Sequence, residues 1–270
     1  MKQRIKTGAA ILVAVCLVLH YSYISWVLNS AVAFLCVLGV YELYAAVGLQ
    51  HDRKILSLSI LAAVIAALMP MPHYGAVLAA LLPVMMVLFG ILMGRIGKVE
   101  KLKTWQIVQM AAAVVVFFTS MKHIRLREFG LYELTVGIFV CMITDSCAYF
   151  VGSRFGRHKL APKVSPAKSI EGAIGGTVIA VALLLVVCAG VQAAGGPRVS
   201  YGKMTVYLFI ASLVGQYGDL CMSAVKRVAG IKDYGKLLPG HGGILDRFDS
   251  QLFVLPFTYL FCAFCGNLYY

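Results

Sequence analysis

A chain of 270 residues that is 61% hydrophobic and only 13% charged is not a soluble domain, in which about a quarter of the residues carry charge. A formal net charge of +13 would suggest nucleic acid in a soluble protein. Here the bases sit in short loops between apolar blocks, where they set topology and meet membrane lipids, so no nucleic-acid partner is expected.

The apolar residues recur in blocks of roughly 15 to 22, each close to the length a helix needs to cross a bilayer. The expected fold is all-α: a polytopic integral membrane protein with about nine transmembrane helices. They are placed at about 8–26, 30–48, 55–70, 74–94, 105–120, 131–150, 172–194, 203–222 and 251–267. The first follows Met1-Lys2-Gln3-Arg4-Ile5-Lys6 with no clear small-residue cleavage signal, and is read as a retained anchor. The third and fifth are short and need tilt or a thinner bilayer. With the N-terminus in the cytoplasm, 19 of the 24 lysines and arginines fall in inside loops. That bias supports N-terminus in and C-terminus out. The run from Lys122 to Arg127 stands against it.

Two regions differ in character. Residues 1–130 read as N-terminal transmembrane helices joined by short basic turns. Residues 131–270 read as a catalytic transmembrane region with polar cytoplasmic loops. Seven of the 11 acidic residues lie in 131–250: Glu133, Asp145, Glu171, Asp219, Asp233, Asp246 and Asp249. No inverted pair of broken helices, the mark of many transporters, is evident.

The sixth expected span runs into a first polar stretch, Met142 to Gly176. Asp145 lies inside the apolar run, where a carboxylate is costly unless paired or bound to a cation. Tyr149 follows at i+4 on the same helical face. The loop then carries Arg154, Arg157, Lys159, Lys163 and Lys168. Ser165-Pro166 reads as a turn, and Ser169 as the cap of a helix containing Glu171. Gly172, Gly175 and Gly176 let the backbone approach a neighbour or a ligand. A helix N-terminus beside Lys168 suits a phosphate.

The second polar stretch is Gly218 to Ser250. Asp219, Ser223 and Lys226 are spaced i, i+4 and i+7 on one helical face, with Arg227 beside it. Pro239-Gly240-His241-Gly242-Gly243 can fold tightly and offer backbone N–H groups to an anion. Asp246 and Asp249 follow near the last span. Eight cysteines, most of them in apolar segments, do not make a disulfide scaffold. Cys262 and Cys265, in that last span, have no neighbouring His or second Cys pair and do not read as a zinc site. Hard divalent ions such as Mg²⁺ take carboxylate and phosphate oxygens, and lysine and arginine neutralise phosphate. Carboxylates, bases and glycines together at a membrane surface point to metal-assisted phosphoryl or nucleotidyl transfer onto a lipid. Neither stretch fits a Walker A motif.

The segment Ser223 to Ser250 resembles the signature of the phosphatidate cytidylyltransferases, the CDP-diacylglycerol synthases. The matching residues are Ser223, Lys226, Arg227, Lys232, Asp233, Gly235, Pro239 to Gly243, Asp246, Arg247 and Asp249. The earlier stretch is similar to the same family at Asp145, Ala148, Tyr149, Gly152, Phe155, Gly156, Ser165, Pro166, Lys168, Ser169, Glu171 and Gly172. Two positions depart from the pattern. Ala167 replaces a common lysine, and the familiar Asp-Ser-Leu is interrupted as Asp249-Ser250-Gln251-Leu252.

The resemblance implies that CTP and phosphatidate give CDP-diacylglycerol and pyrophosphate with Mg²⁺, and it allows a second cation such as K⁺. It implies catalytic roles for Asp219, Asp246, Lys226 and Asp145, with Asp219 and Asp246 on the metal. It implies substrate contacts for Lys168, Ser223, Arg227, His241, Gly242, Gly243, Arg247, Asp249, Ser165, Glu171 and Tyr149. The cleft is expected to open sideways to lipid. A bacterial inner membrane is the expected setting, and a homodimer is compatible with it. The rival readings are a CTP-dependent polyprenol-type kinase, an ether-lipid CDP-archaeol synthase and, more distantly, a cation-coupled transporter.

Overall fold

The structure, a computed structural model, describes residues 2–71, 73–96, 102–238 and 242–270. Among these residues the chain forms ten α-helices: α1 (Lys2–His20), α2 (Ser25–Ala46), α3 (Arg53–Leu68), α4 (Tyr74–Gly94), α5 (Thr104–Arg125), α6 (Gly130–Phe155), α7 (Ile170–Ala193), α8 (Tyr201–Val228), α9 (Leu245–Phe248) and α10 (Gln251–Cys265). It is an all-α polytopic membrane protein with one small addition. A two-stranded antiparallel hairpin, β1 (Lys159–Ala161) and β2 (Ser165–Ser169), lies in the loop between α6 and α7.

The expectation of about nine spans is corrected to six. Among the described residues, α2, α4, α5, α6, α7 and α8 are long and apolar enough to cross a membrane. The other three apolar blocks do form helices, but short ones. At 1.5 Å per residue, the 16 residues of α3 and the 15 of α10 reach only about 22–24 Å of a hydrocarbon layer roughly 30 Å thick. The α3 helix stops because Met69 precedes Pro70 and takes the extended backbone that a following proline imposes (φ −88°, ψ 149°). The α10 helix stops at Gly266, whose φ of 79° only glycine adopts freely. The apolar run that begins in α1 extends from Gly8 past the helix end to Tyr23 and is below the spanning length.

The bases that oppose the charge bias are spent inside the fold. Lys122 is buried, and its Nζ donates to the carbonyl oxygens of Ala66 (2.8 Å), Ala67 (2.9 Å) and Met69 (2.6 Å). Those carbonyls lie at the end of α3, where a helix has no partners of its own, so Lys122 of α5 serves as its cap. Arg125 donates to Ser22 Oγ at 2.8 Å. Arg127 donates to Glu133 Oε2, the Cys262 carbonyl and Asn267 Oδ1 at 2.9, 2.9 and 2.7 Å. These three charges join helix ends and leave the topological bias to the remaining bases.

The tightest helix pair is α6 with α7, and small residues create it. A Cβ placed on Gly172 would stand 2.7 Å from the Ala148 carbonyl, and one on Gly176 would stand 2.7 Å from the Ala148 Cβ. The glycines left open between neighbour and ligand therefore serve a neighbouring backbone, a four-residue small-residue spacing common in membrane helix pairs. Gly176→Val is expected to lower stability by about 1–3 kcal/mol through overpacking. Thermal unfolding in detergent tests this, and an unchanged midpoint would contradict the close packing.

Candidate active site

The site is built on the last three turns of α8. Asp219, Ser223 and Lys226 share one face, as their spacing predicts, and Ser223 Oγ donates to Asp219 Oδ1 at 3.2 Å. Asp219 lies nine residues before the helix end at Val228, about 13 Å along the axis. Lys226 is buried, and its Nζ donates to Asp246 Oδ1 at 2.8 Å, with side-chain exposures of 10% and 2%. The same ammonium lies 5.4 Å from the centre of the Tyr234 ring, which adds a cation–π attraction.

Asp246 organises the second polar loop. Its Oδ2 accepts from Tyr234 N at 2.8 Å and from Gly243 N at 2.9 Å, so one oxygen ties both arms of the loop. The reach back to Gly243 spans three residues at the start of α9. Tyr234 is buried and donates its hydroxyl to the Met222 carbonyl at 2.9 Å, which holds the loop against α8. Gly242 sits at φ 84°, and its carbonyl accepts from Leu238 N at 2.9 Å. His241 lies outside the described residues.

The first polar stretch folds onto the same helix. Ser169 caps α7 as expected, accepting from Gly172 N at 3.2 Å. That cap fixes β2, from which Lys168 forms an ion pair with Asp219 Oδ2. The Lys168 ammonium is close to the carboxylate but not aligned for a hydrogen bond. Arg227 donates from Nε to the Val164 carbonyl at 3.0 Å and from a terminal nitrogen to the Ile231 carbonyl at 3.2 Å, so it clamps hairpin to loop. Glu171 accepts from the backbone N–H groups of Arg157 and His158, and it meets His158 Nδ1 at 2.6 Å. It thus ties the end of α6 to the start of α7.

Asp145 reaches the site from α6, where its Oδ2 accepts from Ser250 Oγ at 3.1 Å. Asp249 is the next acid along. Burial, reinforced by the like charges of Asp219 and Asp145 and opposed by Lys226, pushes its carboxyl well above the usual carboxylate range. Tyr149 is 72% exposed and packs edge-on against Phe150. Ser165 opens β2 and is half-buried; Arg247 is exposed.

A cavity of about 320 Å³ opens over this region. One wall is the apolar face of α1, with Ile11, Leu12, Val15 and Leu19; the other side carries Asp145, Asp246, Arg247 and Asp249. A lipid-like wall facing charged groups suits an amphiphile. Among the described residues no group of three or more His, Cys, Asp or Glu side chains converges as a metal cage. The carboxylates nevertheless retain acceptor capacity. Asp219 Oδ1 and Asp246 Oδ1 each accept one hydrogen bond, leaving each oxygen a second lone pair.

Two buried residues of this region escape a reading by composition. Tyr234 carries no charge to mark it. Glu42 lies in the N-terminal helices, where its carboxylate contacts the backbone of residues 244 and 245. An isolated acid inside the apolar run of α2 was the available signal for it.

A profile described as the cytidylyltransferase family matches residues 2–265. The chain is similar to the phosphatidate cytidylyltransferase of Bacillus subtilis (strain 168), 43% identical over 155 residues, or 56% of each chain. It is also similar to the phosphatidate cytidylyltransferases of Staphylococcus saprophyticus (42% over 130 residues) and Staphylococcus aureus strain COL (44% over 135 residues), each aligned over 48% of either chain. The chain therefore spans about half the length of the curated relatives it matches. With the profile covering nearly every residue, the chain belongs to the cytidylyltransferase family.

Proposed function

We propose that this protein is a CTP:phosphatidate cytidylyltransferase that forms CDP-diacylglycerol and pyrophosphate for phospholipid synthesis. The observation that carries the reading is that one face of α8 holds two ion pairs, Asp219 with Lys168 and Lys226 with Asp246, and that Asp246 also lines a cavity walled by apolar α1. Bases and acids in that setting suit a lipid phosphate and a nucleotide held together.

In this reading a phosphatidate phosphate oxygen attacks the α-phosphorus of CTP. The new phosphoanhydride bond forms as the bond to the β-phosphate breaks, and pyrophosphate leaves with the electron pair. No protein nucleophile is required. The chain's contribution is positioning and charge stabilisation. Lys168, Lys226 and Arg247 neutralise phosphate oxygens, while Ser223 and the Gly242-Gly243 turn orient them. The acyl chains lie along α1 and stay in hydrocarbon.

The donor set is oxygen-rich, with the carboxyl groups of Asp145 and Asp219 close enough to act on Asp249, and oxygen donors suit a hard divalent cation. Asp219 and Asp246 would hold Mg²⁺, whose charge would offset that of the triphosphate. The catalytic groups belong to 131–270, with the active-site loops and the N-terminus in the cytoplasm of a bacterial cell.

The test uses purified protein with phosphatidate, Mg²⁺ and CTP labelled at the α-phosphorus. Label entering the lipid fraction with pyrophosphate released is the expected result. Asp219→Asn and Asp246→Asn are each expected to lower the rate about a hundredfold. Transfer of γ-label to a prenol, without pyrophosphate, would replace this reading with a lipid kinase.

A further inference from the structure

We infer that Glu42 is a positioning residue for the active-site loop, an inference that rests on the reading of Asp246 and Lys226 as reaction groups. Glu42 sits deep in α2, 4% exposed, in a helix whose other residues are apolar or uncharged. Its Oε1 accepts from Ile244 N and its Oε2 from Leu245 N, each at 2.8 Å. Both carboxyl oxygens are thus used as acceptors, one for each N–H donor.

The need for this distant acceptor follows from the loop's sequence. The turn that starts α9 passes through Gly242 and Gly243, which have no side chain to cap the free N–H groups of a helix start. Asp246 satisfies Gly243 N. Ile244 N and Leu245 N receive their partner from α2. The fit is close on every side. A Cβ on Gly243 would overlap the Glu42 carboxylate, and one on Gly235 would stand 2.8 Å from Glu42 Oε1. One turn earlier on α2, Gly39 leaves room for Leu245, whose Cδ2 would stand 3.3 Å from a Cβ there. Glu42 therefore fixes the segment immediately before Asp246, whose side chain must meet Lys226. It does so from α2, 202 residues earlier in the chain than Ile244.

The test uses the full chain purified in detergent, as wild type, Glu42→Gln and Gly243→Ala. Tyr74→Phe, in the buried Tyr74–Ser120 contact between α4 and α5, is the control. Amide hydrogen exchange over 243–246 is read without substrate. Then kcat and KM are read with CTP, phosphatidate and MgCl₂. Glu42→Gln, which keeps one acceptor and turns an NH₂ toward the other N–H, is expected to speed exchange roughly tenfold. It should lower kcat at least about tenfold with KM for CTP within about threefold. Gly243→Ala reaches the same contact from the loop side and should speed exchange and lower kcat likewise, which covers a failure of Glu42→Gln to fold. Tyr74→Phe should change neither reading. Unchanged exchange in both variants overturns the anchor, and faster exchange with wild-type kcat overturns the positioning role. An inactive wild type would sink the proposed reaction instead, and the anchor would then stand or fall on the exchange rates.

Discussion

Lys226→Met is expected to lower CTP-dependent labelling of phosphatidate about a thousandfold, combining loss of a phosphate-facing charge with loss of loop order. The Lys226 ammonium is the charged partner of Asp246, whose side chain is 2% exposed. Methionine keeps the stem and removes the charge, leaving an unpaired carboxylate in a dry setting. Breaking such a pair costs about 3–5 kcal/mol. Asp246 also holds Tyr234 N and Gly243 N, so its displacement loosens both arms of the loop. Lys226→Arg restores charge but not shape, because a planar fork does not replace a compact ammonium. It should recover thermal stability more than rate. A Lys226→Met protein working within tenfold of wild type would exclude Lys226 from the reaction.

Arg127→Met should have a comparable effect on stability, at the end of the bundle away from the site. Glu133 has a side chain 0% exposed, and Arg127 Nε is its charged partner at 2.9 Å. The other Glu133 oxygen already has no hydrogen-bond partner among the described residues. Removing the guanidinium leaves a buried charge and also releases the Cys262 carbonyl and Asn267 at the end of α10. The expected loss is about 3–5 kcal/mol, read as a lower unfolding midpoint in detergent. The rate per folded molecule at low temperature should remain near wild type. Adding Glu133→Gln should recover much of the loss, because the unpaired charge goes. Equal midpoints for Arg127→Met and wild type would show that the pair is not needed.

The helix-borne parts of the site were legible because they depend on spacing alone. Asp219, Ser223 and Lys226 fall on one face by arithmetic, and Ser169 caps α7 by residue type. Spacing says less where the tertiary setting decides. Tyr149 shares a helical face with Asp145, but it lies exposed beside Phe150 while Asp145 meets Ser250. The span count failed for a related reason. Hydropathy locates apolar blocks, but blocks as short as 55–70 and 251–267 form helices that do not span, and a proline at 70 and a glycine at 266 keep them from extending. Lys122 looked like a topological exception because a sequence cannot show three carbonyls of α3 waiting for it. Glu42 was visible as an acid, but its partners lie more than 200 residues away in the chain.

That separation bears on biogenesis. Glu42 precedes Ile244 by 202 residues, and a ribosome adding about 5–20 residues per second takes roughly 10–40 s to cover them. During that interval α2 must enter the bilayer with a carboxylate whose partners do not yet exist. On insertion scales such a charge costs about 2.5–3.5 kcal/mol at mid-helix. The leucines, valines and aromatic residues of α2 offset it. The loop cannot take its final shape until the end of the chain arrives, so a truncated nascent chain has no assembled site with which to act on lipid or nucleotide.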